Sequence, residues 1–321
     1  LKIIKRDDSL VIPIIGKIDL AQIKSDLNMR TPLKLVHDQF EIRKKRYTSI
    51  SEILKGKIPS ELLEIQPVAF DQVGSIAVVD LKDGILEYKE IIGEAIIEFN
   101  PSVTTVFRKS KAVSGVKRLR GLELIAGTET YETVHKEYGI KIFVNVKDIY
   151  FSPRLSTEHR RIAEQVNQDD IVLDMFGAAG PFALHITSIR KAIVYTLDIN
   201  EFAKEIVSKS INLNPNLKGE IRILSGDVII IAQQLIHDNL EFDHVIMNHP
   251  SEATNYLYLA DKLVKKGGFI HVYSFVQIKK HDDICHQIIS QELQGYEIVN
   301  ITNVRQYSPQ QYHTCITIKK L

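Results

Sequence analysis

The second half of the chain alternates short apolar runs with segments of helical length, and this rhythm constrains the fold more than any other feature. After Tyr150 the apolar runs are rich in β-branched residues, which favour strands. Such alternation is typical of a doubly wound α/β sheet in which most strands run parallel. The last two runs predict an antiparallel hairpin that closes the sheet. The predicted strands are residues 171–176, 192–197, 221–224, 244–247, 269–275, 296–304 and 312–319.

The first half of the chain has a different pattern. Residues 1–60 predict short helices and loops, punctuated by prolines. Residues 68–79 predict two strands joined through a turn at Gly74, and a Glu- and Ile-rich helix follows to Asn100. Short β-type segments at 104–108, 122–125 and 141–146 then alternate with glycines. We therefore expect small α+β modules to precede the α/β sheet.

The formal net charge of +1 hides an uneven distribution of charge. A nearly neutral protein is a poor candidate for binding nucleic acid, because phosphate contacts need basic side chains. Residues 1–60 carry +6, 61–100 carry −7, 101–150 carry +4 and 151–321 carry −2. Residues 101–120 hold six basic side chains and no acidic one, and residues 43–46 form a second basic block. The basic surface is therefore expected in the N-terminal half.

No run approaches the roughly 18 apolar residues of a membrane span, and the first 20 residues mix charges into their apolar positions. We therefore expect a cytoplasmic protein without a membrane partner. Two cysteines, Cys285 and Cys315, are too few for a disulfide framework or a zinc site of their own. We interpret both as small buried thiols.

The first strand of the α/β segment ends in a turn of small residues that leads into a helix. Its sequence, Asp174-Met-Phe-Gly177-Ala-Ala-Gly180-Pro-Phe, lets the backbone approach a ligand closely. The Gly-Lys-Ser/Thr of a phosphate-binding loop and the Gly-x-Gly-x-x-Gly of a dinucleotide site are both missing. A nucleoside ligand without a pyrophosphate fits this turn best, although a purely structural turn would look similar.

Polar side chains follow the next three predicted strands directly. Asp198 follows the second strand, where a carboxylate can accept hydrogen bonds from ribose hydroxyls. Asp227 follows the third, where it can hold an adenine edge, and Asn248 follows the fourth. Ligands of doubly wound sheets bind at the carboxyl ends of the strands. Together these positions resemble the S-adenosylmethionine methyltransferase fold.

The segment before the first strand makes the resemblance more specific. Tyr150-Phe-Ser-Pro-Arg-Leu-Ser-Thr-Glu-His-Arg160, followed by the Asp174 turn, is similar to the signature of the archaeal and eukaryotic tRNA (guanine-37 N1)-methyltransferases. Further matching pieces extend the resemblance over roughly residues 68–321. They are Phe70-Asp-x-x-Gly-x-Ile-Ala77, Gly121-Leu-Glu-Leu-Ile-Ala-Gly127, Thr133-Val-His-Lys-Glu137, Gly267-Gly-Phe-Ile-His-Val-Tyr273 and Tyr307-Ser-Pro309.

The resemblance implies roles for particular residues. Glu158 would be the general base that removes the N1 proton of guanine, and Arg118 would stabilise negative charge on O6, with Arg120 as its rival. Asn248 would orient the base. The cofactor would be S-adenosylmethionine, and no metal is implied. The residues expected to contact the cofactor are Tyr150, His159, Phe176, Gly177, Asp198, Ile199, Asp227, Val228, Asn248 and Pro250.

The implied organisation has three parts. Residues 1–62 would form a small basic tRNA-binding module, 63–150 an α+β module that contributes to RNA binding and the active site, and 151–321 a Rossmann-like methyltransferase domain. The partner would be tRNA, contacted at its anticodon loop and outer corner, and the protein is expected to act as a monomer.

Two departures from the family pattern leave alternatives open. The triplet Asn248-His249-Pro250 carries a histidine where leucine or proline is usual, and Gly177-Ala-Ala replaces the more usual Ala-Gly-Val. His249 is either a packing residue or a sign of a shifted substrate, namely carbon 7 of the tricyclic wyosine precursor at position 37. Aminocarboxypropyl transfer in wyosine synthesis is a second alternative. A non-catalytic tRNA-binding protein is a third, from a different class.

Overall fold

The computed structural model describes residues 4–6, 9–14, 19–26, 33–34, 36, 47–65, 69–114, 119–279 and 281–321, and its contacts divide the chain into two compact units. The first unit spans Leu1–Ser49. Its strands β1 (Ile4–Arg6) and β2 (Ser9–Val11) pair antiparallel, and helix α1 (Leu20–Asp26) follows. The sequence predicted only helices and loops here, and this was wrong. A strand of three residues is too short to show an alternation of apolar and polar residues. The basic block 43–46 lies outside the described residues.

The second unit, Ile50–Leu321, begins with helices and a mixed four-stranded sheet of order β3-β4-β5-β6. A separate hairpin, β7–β8, follows that sheet. Strand β7 was missing from the prediction because its sequence, Glu-Thr-Val-His-Lys-Glu, contains only one apolar residue, Val134. The elements are α2 (Ile50–Leu54), α3 (Ser60–Ile65), β3 (Phe70–Val73), β4 (Ile76–Val79), α4 (Lys89–Phe99), β5 (Thr105–Ser114), β6 (Leu119–Gly127), β7 (Glu132–Glu137) and β8 (Ile140–Asn145).

Gly74 forms the predicted turn between β3 and β4, and its surroundings require a glycine. Its φ is +55°, and a Cβ there would lie 2.2 Å from Oγ1 of Thr133. The Gly74 N–H donates to Nδ1 of His135, and the Ser75 N–H donates to Thr133 Oγ1. The turn thereby joins the four-stranded sheet to strand β7.

The α/β segment forms a seven-stranded sheet of order β11-β10-β9-β12-β13-β15-β14. Strands β9 to β13 are parallel, and β15 and β14 add antiparallel at one edge, so the predicted fold class is confirmed. The elements are α5 (Ser156–Gln165), β9 (Ile171–Asp174), α6 (Pro181–Ile189), β10 (Ile193–Asp198), α7 (Ala203–Leu213), β11 (Glu220–Ser225), α8 (Val228–His237), β12 (Phe242–Met247), α9 (Leu257–Leu263), β13 (Val264–Gln277), α10 (His281–Glu292), β14 (Tyr296–Ser308) and β15 (Gln311–Lys320).

The β7–β8 hairpin is bound to the α/β segment through helix α7. The backbone N–H of Phe143 donates to Ser210 Oγ at 2.9 Å, and Asn214 hydrogen bonds to both the N–H and the carbonyl of Lys141. These side chains hydrogen bond to backbone groups at the edge of β8, which would otherwise be unpaired. The hairpin is therefore anchored directly to the α/β segment.

The core on both faces of the sheet is apolar at the positions where the sequence predicted buried strands. Both cysteines are buried thiols, as predicted. Among the described residues, no helix has the length and apolar character that crossing a membrane requires. The division at residues 62 and 150 stays a prediction, since the contacts separate only residues 1–49 from the rest.

Candidate active site

A cleft lies at the carboxyl ends of the parallel strands, beside the point where the strand order reverses. From the central strand β9 the chain adds β10 and β11 on one side and then crosses to β12 on the other. A crevice opens at such a switch point, and doubly wound folds use it for ligands. The cavity measures about 780 Å³ with its open mouth included.

The turn after β9 has the tight backbone that the sequence predicted. The Gly177 N–H donates to the carbonyl of Leu197 on β10, and a Cβ on Gly177 would lie 1.9 Å from Thr196 Oγ1. Ala178 and Gly180 both adopt positive φ, at 46° and 74°. Pro181 then begins α6, where its fixed φ suits the first helical turn. The turn is thus held close to the strand that carries Asp198.

Asp198 is fixed by the backbone at both carboxylate oxygens. Oδ2 accepts the N–H of Ala178 and Oδ1 accepts the N–H of Asn200, each at 2.8 Å. A carboxylate has about four acceptor positions, so two remain for the hydroxyls of a ribose. Burial raises the pKa of Asp198, while these two N–H groups and nearby His249 oppose the increase.

The remaining cavity wall combines apolar side chains with a few polar groups, as nucleoside sites do. Asp227 caps helix α8, because its carboxylate accepts the N–H of Ile229 at 2.8 Å. Asp227 also lines the cavity. Seven of the predicted cofactor residues line the cavity together. They are Tyr150, Phe176, Asp198, Ile199, Asp227, Val228 and Asn248.

A second, smaller cavity of about 360 Å³ adjoins the first and contains two more predicted residues, His159 and Gly177. Tyr150, Phe176 and Asn248 line both cavities and so form their shared wall. Pro250, the tenth predicted residue, is buried and lies outside the described lining of both.

Glu158 lies in the first turn of helix α5, on the face that also buries Ile162 and Ala163. Arg161 donates to both of its carboxylate oxygens, at 2.7 and 2.6 Å, and Tyr273 donates to Oε1 at 2.5 Å. The carboxylate is thus oriented by three hydrogen bonds. Among the described residues it is not part of the lining of either cavity, and it adjoins the smaller one through its neighbour His159.

Both arginines predicted to contact O6 belong to the sequence around the start of β6. Arg118 lies outside the described residues, and only the backbone of Arg120 is described, in β6. Two other cations of the predicted basic stretch bind acidic side chains. Arg108 pairs with Glu123, and Lys109 lies 3.4 Å from Asp80.

Sequence reasoning missed several residues that line the larger cavity. Asn200, Glu252 and Tyr256 are the polar ones, and His249, singled out only as a departure from the family pattern, packs its ring 5.2 Å from that of Phe176. Asn200 had a readable signal, because it lies two residues after the strand-end Asp198. Tyr256 lies in a short 3₁₀ helix (Ala253–Tyr256), and only the tertiary fold brings it to the cavity.

Asp174, at the end of β9, is completely buried behind the cavity turn. Neither of its oxygens accepts a hydrogen bond of standard geometry from the described residues, although the Phe176 N–H is near enough to favour the charged form. Burial therefore raises its pKa to about 7, an effect that nearby Asp198 strengthens and the Phe176 N–H partly opposes.

We expect Asp174→Asn to stabilise the protein above neutral pH. The folded state holds Asp174 at a pKa of about 7, above its ordinary value of 3.8, so ionisation opposes folding progressively as pH rises between those values. The gain should grow from about pH 4, level off above pH 7, and amount to about 1–4 kcal/mol at about 1.4 kcal/mol per pKa unit. Urea unfolding between pH 5 and 8.5 measures it. The exposed control Asp169→Asn should show no such trend, and equal curves for Asp174→Asn and wild type would contradict the assignment.

The doubly wound sheet, the antiparallel closing hairpin and the polar side chains at the carboxyl ends of the strands define a Rossmann-like methyltransferase. Residues 133–297 match the family described as TRM5/TYW2 methyltransferase domain, and residues 50–130 match the TYW2 N-terminal domain. The chain belongs to the TRM5/TYW2 methyltransferase family, as the sequence motifs predicted.

Two curated relatives show the range of the family. The chain is 31% identical to tRNA (guanine(37)-N(1))-methyltransferase Trm5b of Methanocaldococcus jannaschii over 321 residues, which cover 99% of this chain and 90% of the relative. It is 33% identical to tRNA 4-demethylwyosine(37)-methyltransferase Taw21 of Saccharolobus solfataricus over 231 residues, which cover 72% and 84%.

Solved structures agree with these relatives. The structure of aTrm5 in complex with tRNALeu matches with a TM-score of 0.76 at 30% identity, covering 100% of this chain and 92% of that one. P. horikoshii TYW2 in complex with MeSAdo matches with a TM-score of 0.67 at 26% identity, covering 84% and 97%.

Proposed function

We propose that the protein transfers a methyl group from S-adenosylmethionine to N1 of guanine 37 in tRNA. The observation that carries this proposal is the cavity in which Asp198, Asp227 and Asn248 meet at the carboxyl ends of three strands. The relative matched over 99% of this chain is named for the same reaction, which supports the choice of substrate.

The cavity residues fit the parts of the cofactor. Asp198 has acceptor positions left for both ribose hydroxyls, and the apolar side chains of Ile199 and Val228 can enclose an adenine ring. Asp227, which also lines the cavity, would accept a hydrogen bond from the adenine edge. Phe176 and Tyr150, on the wall shared by the two cavities, would separate cofactor from base. When bound, S-adenosylmethionine supplies an electrophilic methyl group on a sulfonium.

The protein's own task is to make guanine N1 nucleophilic. N1 carries a proton and has no free lone pair, so a base must remove that proton, and we assign this role to Glu158. Arg161 and Tyr273 orient its carboxylate. Asn248, which lines both cavities, would hold the base edge beside the cofactor. A cation at O6 would lower the cost of the developing charge, and Arg118 or Arg120 is proposed for it.

The tRNA would be bound mainly by the N-terminal half. Residues 1–60 carry a net +6 and residues 101–150 a net +4, which suits phosphate contacts. We propose that residues 1–62 contact the outer corner of tRNA and that residues 63–150 guide the anticodon loop to the cavity, where base 37 is turned out. Monomeric state and cytoplasmic location belong to the same proposal.

Methylation of carbon 7 of the wyosine precursor is the second candidate. Two observations favour considering it: the relative named tRNA 4-demethylwyosine(37)-methyltransferase, and His249 in the cavity wall beside Phe176. An imidazole at this position adds a donor or acceptor that the usual leucine or proline lacks.

A doubly labelled cofactor separates the reaction classes. The protein is incubated with S-adenosylmethionine labelled differently in its methyl and carboxyl groups, and with tRNA bearing either G37 or the wyosine precursor. Methyl label on the G37 tRNA supports the proposal. Methyl label on the precursor alone favours carbon 7, and carboxyl label in tRNA means aminocarboxypropyl transfer. Binding of tRNA without either label and without cofactor binding would indicate a non-catalytic protein.

A further inference from the structure

A cluster of buried imidazoles surrounds the carboxylate of Glu137, and one of them, His159, also lines the smaller cavity. Glu137 is at the end of β7, His159 is on α5 and His185 is on α6, and none of the three is more than 3% exposed. His159 Nδ1 lies 2.8 Å and His185 Nε2 lies 2.9 Å from the same oxygen, Oε2. Three elements far apart in sequence thus converge on one carboxylate.

The carboxylate lacks both a full counter-charge and a partner for its second oxygen. Its ion-pair partners among the described residues are all histidines, and Oε1 has no hydrogen bond within the described part of the chain. Both imidazoles lie at hydrogen-bond distance from the same oxygen, Oε2, so the carboxylate is buried with only one of its oxygens satisfied. Buried carboxylates are normally paired or coordinate a metal ion.

We propose that Glu137, His159 and His185 bind a divalent transition-metal ion, with zinc as the reference metal. The donor atoms, Glu137 Oε, His159 Nδ1 and His185 Nε2, all lie within 4.8 Å of one another. With metal–ligand distances of about 2.0–2.2 Å, tetrahedral donors lie roughly 3.3–3.5 Å apart. The present spacings of 2.8 and 2.9 Å need only a small outward movement.

Metal binding would shift the ring protons of the two ligand histidines. A histidine ligand must be neutral with a lone pair on the coordinating nitrogen. At present His185 Nε2 donates to Glu137 Oε2, and its other nitrogen, Nδ1, has no partner among the described residues. The proton can therefore move to Nδ1 when an ion takes the place of the Nε2 proton.

A fourth residue, His135, belongs to the surroundings of the site. Its Nδ1 accepts the Gly74 N–H, so the proton of the neutral ring is on Nε2, which lies 3.7 Å from Glu137 Oε1. His135 can therefore orient the carboxylate without binding the ion itself. The fourth coordination position is left to Glu137 Oε1 or to water.

Because the cluster adjoins the smaller cavity, an ion could enter from that side. Its binding would also affect the surrounding structure. His159 also lines the smaller cavity, which shares Tyr150, Phe176 and Asn248 with the cleft. A bound ion would fasten strand β7 to helices α5 and α6, and α5 carries Glu158. Metal binding is therefore expected to raise the melting temperature of the full chain, independently of any tRNA reaction.

Metal titration of the full-length protein tests the site without cofactor or tRNA. After treatment with a chelator, the protein is titrated with ZnCl₂ in a calorimeter and with CoCl₂ in the visible range, and the metal content is measured by mass spectrometry. We expect one equivalent per chain and visible bands typical of tetrahedral cobalt. Glu137→Gln and His185→Gln should each weaken zinc binding at least tenfold, whereas His237→Gln, at an exposed histidine, should leave it unchanged.

Two results would overturn the proposed metal site. Less than a tenth of an equivalent of zinc on the wild-type protein would overturn the proposal, as would equal affinities for wild type and Glu137→Gln. If His185→Gln fails to fold by circular dichroism, Glu137→Gln, which keeps size and hydrogen bonding, decides the question. In either case the outcome does not depend on whether the protein methylates guanine 37.

Discussion

Glu158→Gln is expected to slow methyl transfer to guanine 37 by a factor of about 10²–10⁴, the usual contribution of a general base. Glutamine keeps the size of the side chain and can still accept the hydrogen bond from Tyr273. Its amide cannot take up the N1 proton, so the nucleophile would form only rarely. Single-turnover rates with saturating cofactor and a G37 transcript measure the chemical step directly.

A neighbouring glutamate provides the matched control. Glu164 lies on the same helix, is exposed and pairs with Arg160 at 2.7 Å. Glu164→Gln should react within about twofold of wild type, because surface ion pairs contribute little, roughly 0–1 kcal/mol. A Glu158→Gln protein that is folded and binds cofactor, yet reacts at the wild-type rate, would remove Glu158 from the role of base.

Asp198→Asn is expected to weaken cofactor binding by about 10- to 100-fold, since hydrogen bonds to a charged group contribute roughly 1.5–3 kcal/mol. The carboxylate accepts backbone N–H groups from Ala178 and Asn200 on its two oxygens. An amide in its place turns an NH₂ group towards one of these donors and leaves fewer acceptor positions for ribose. Calorimetry with S-adenosylmethionine gives the dissociation constant.

The control for this change is Asp238→Asn, at the half-exposed C-terminal end of α8 and outside the described lining of the larger cavity. It should bind the cofactor as wild type does. If Asp198→Asn also binds within twofold of wild type, the ribose is not at the end of β10 and the proposed orientation of the cofactor is wrong.

The α/β half of the fold could be predicted because its physical signals are local. Buried parallel strands are continuous apolar runs, and functional side chains follow them directly, so the sequence alone assigns Asp198, Asp227 and Asn248 to one cleft. The N-terminal half lacked such signals. Strand β7 has only one apolar residue, Val134, and one of its charged residues, Glu137, is buried by contacts with helices 22 and 48 residues away.

The environment of Glu158 could not be predicted either. Its first-turn position was evident, but its partner Tyr273 lies 115 residues away on β13. Arg161 lies one turn along the helix from Glu158. This spacing is common in ion pairs and does not reveal whether the pair is buried. In the same way, no spacing of His159, His185 and Glu137 suggests that the three side chains meet. Long-range packing decides these contacts.

Identification of the methylated nucleoside tests the central claim most directly. Two tRNA transcripts that differ only at position 37, G37 and A37, are incubated with methyl-labelled S-adenosylmethionine, digested and separated. We predict 1-methylguanosine from the G37 transcript and no label in the A37 transcript. No label on G37, or label on a nucleoside other than 1-methylguanosine, would contradict the account.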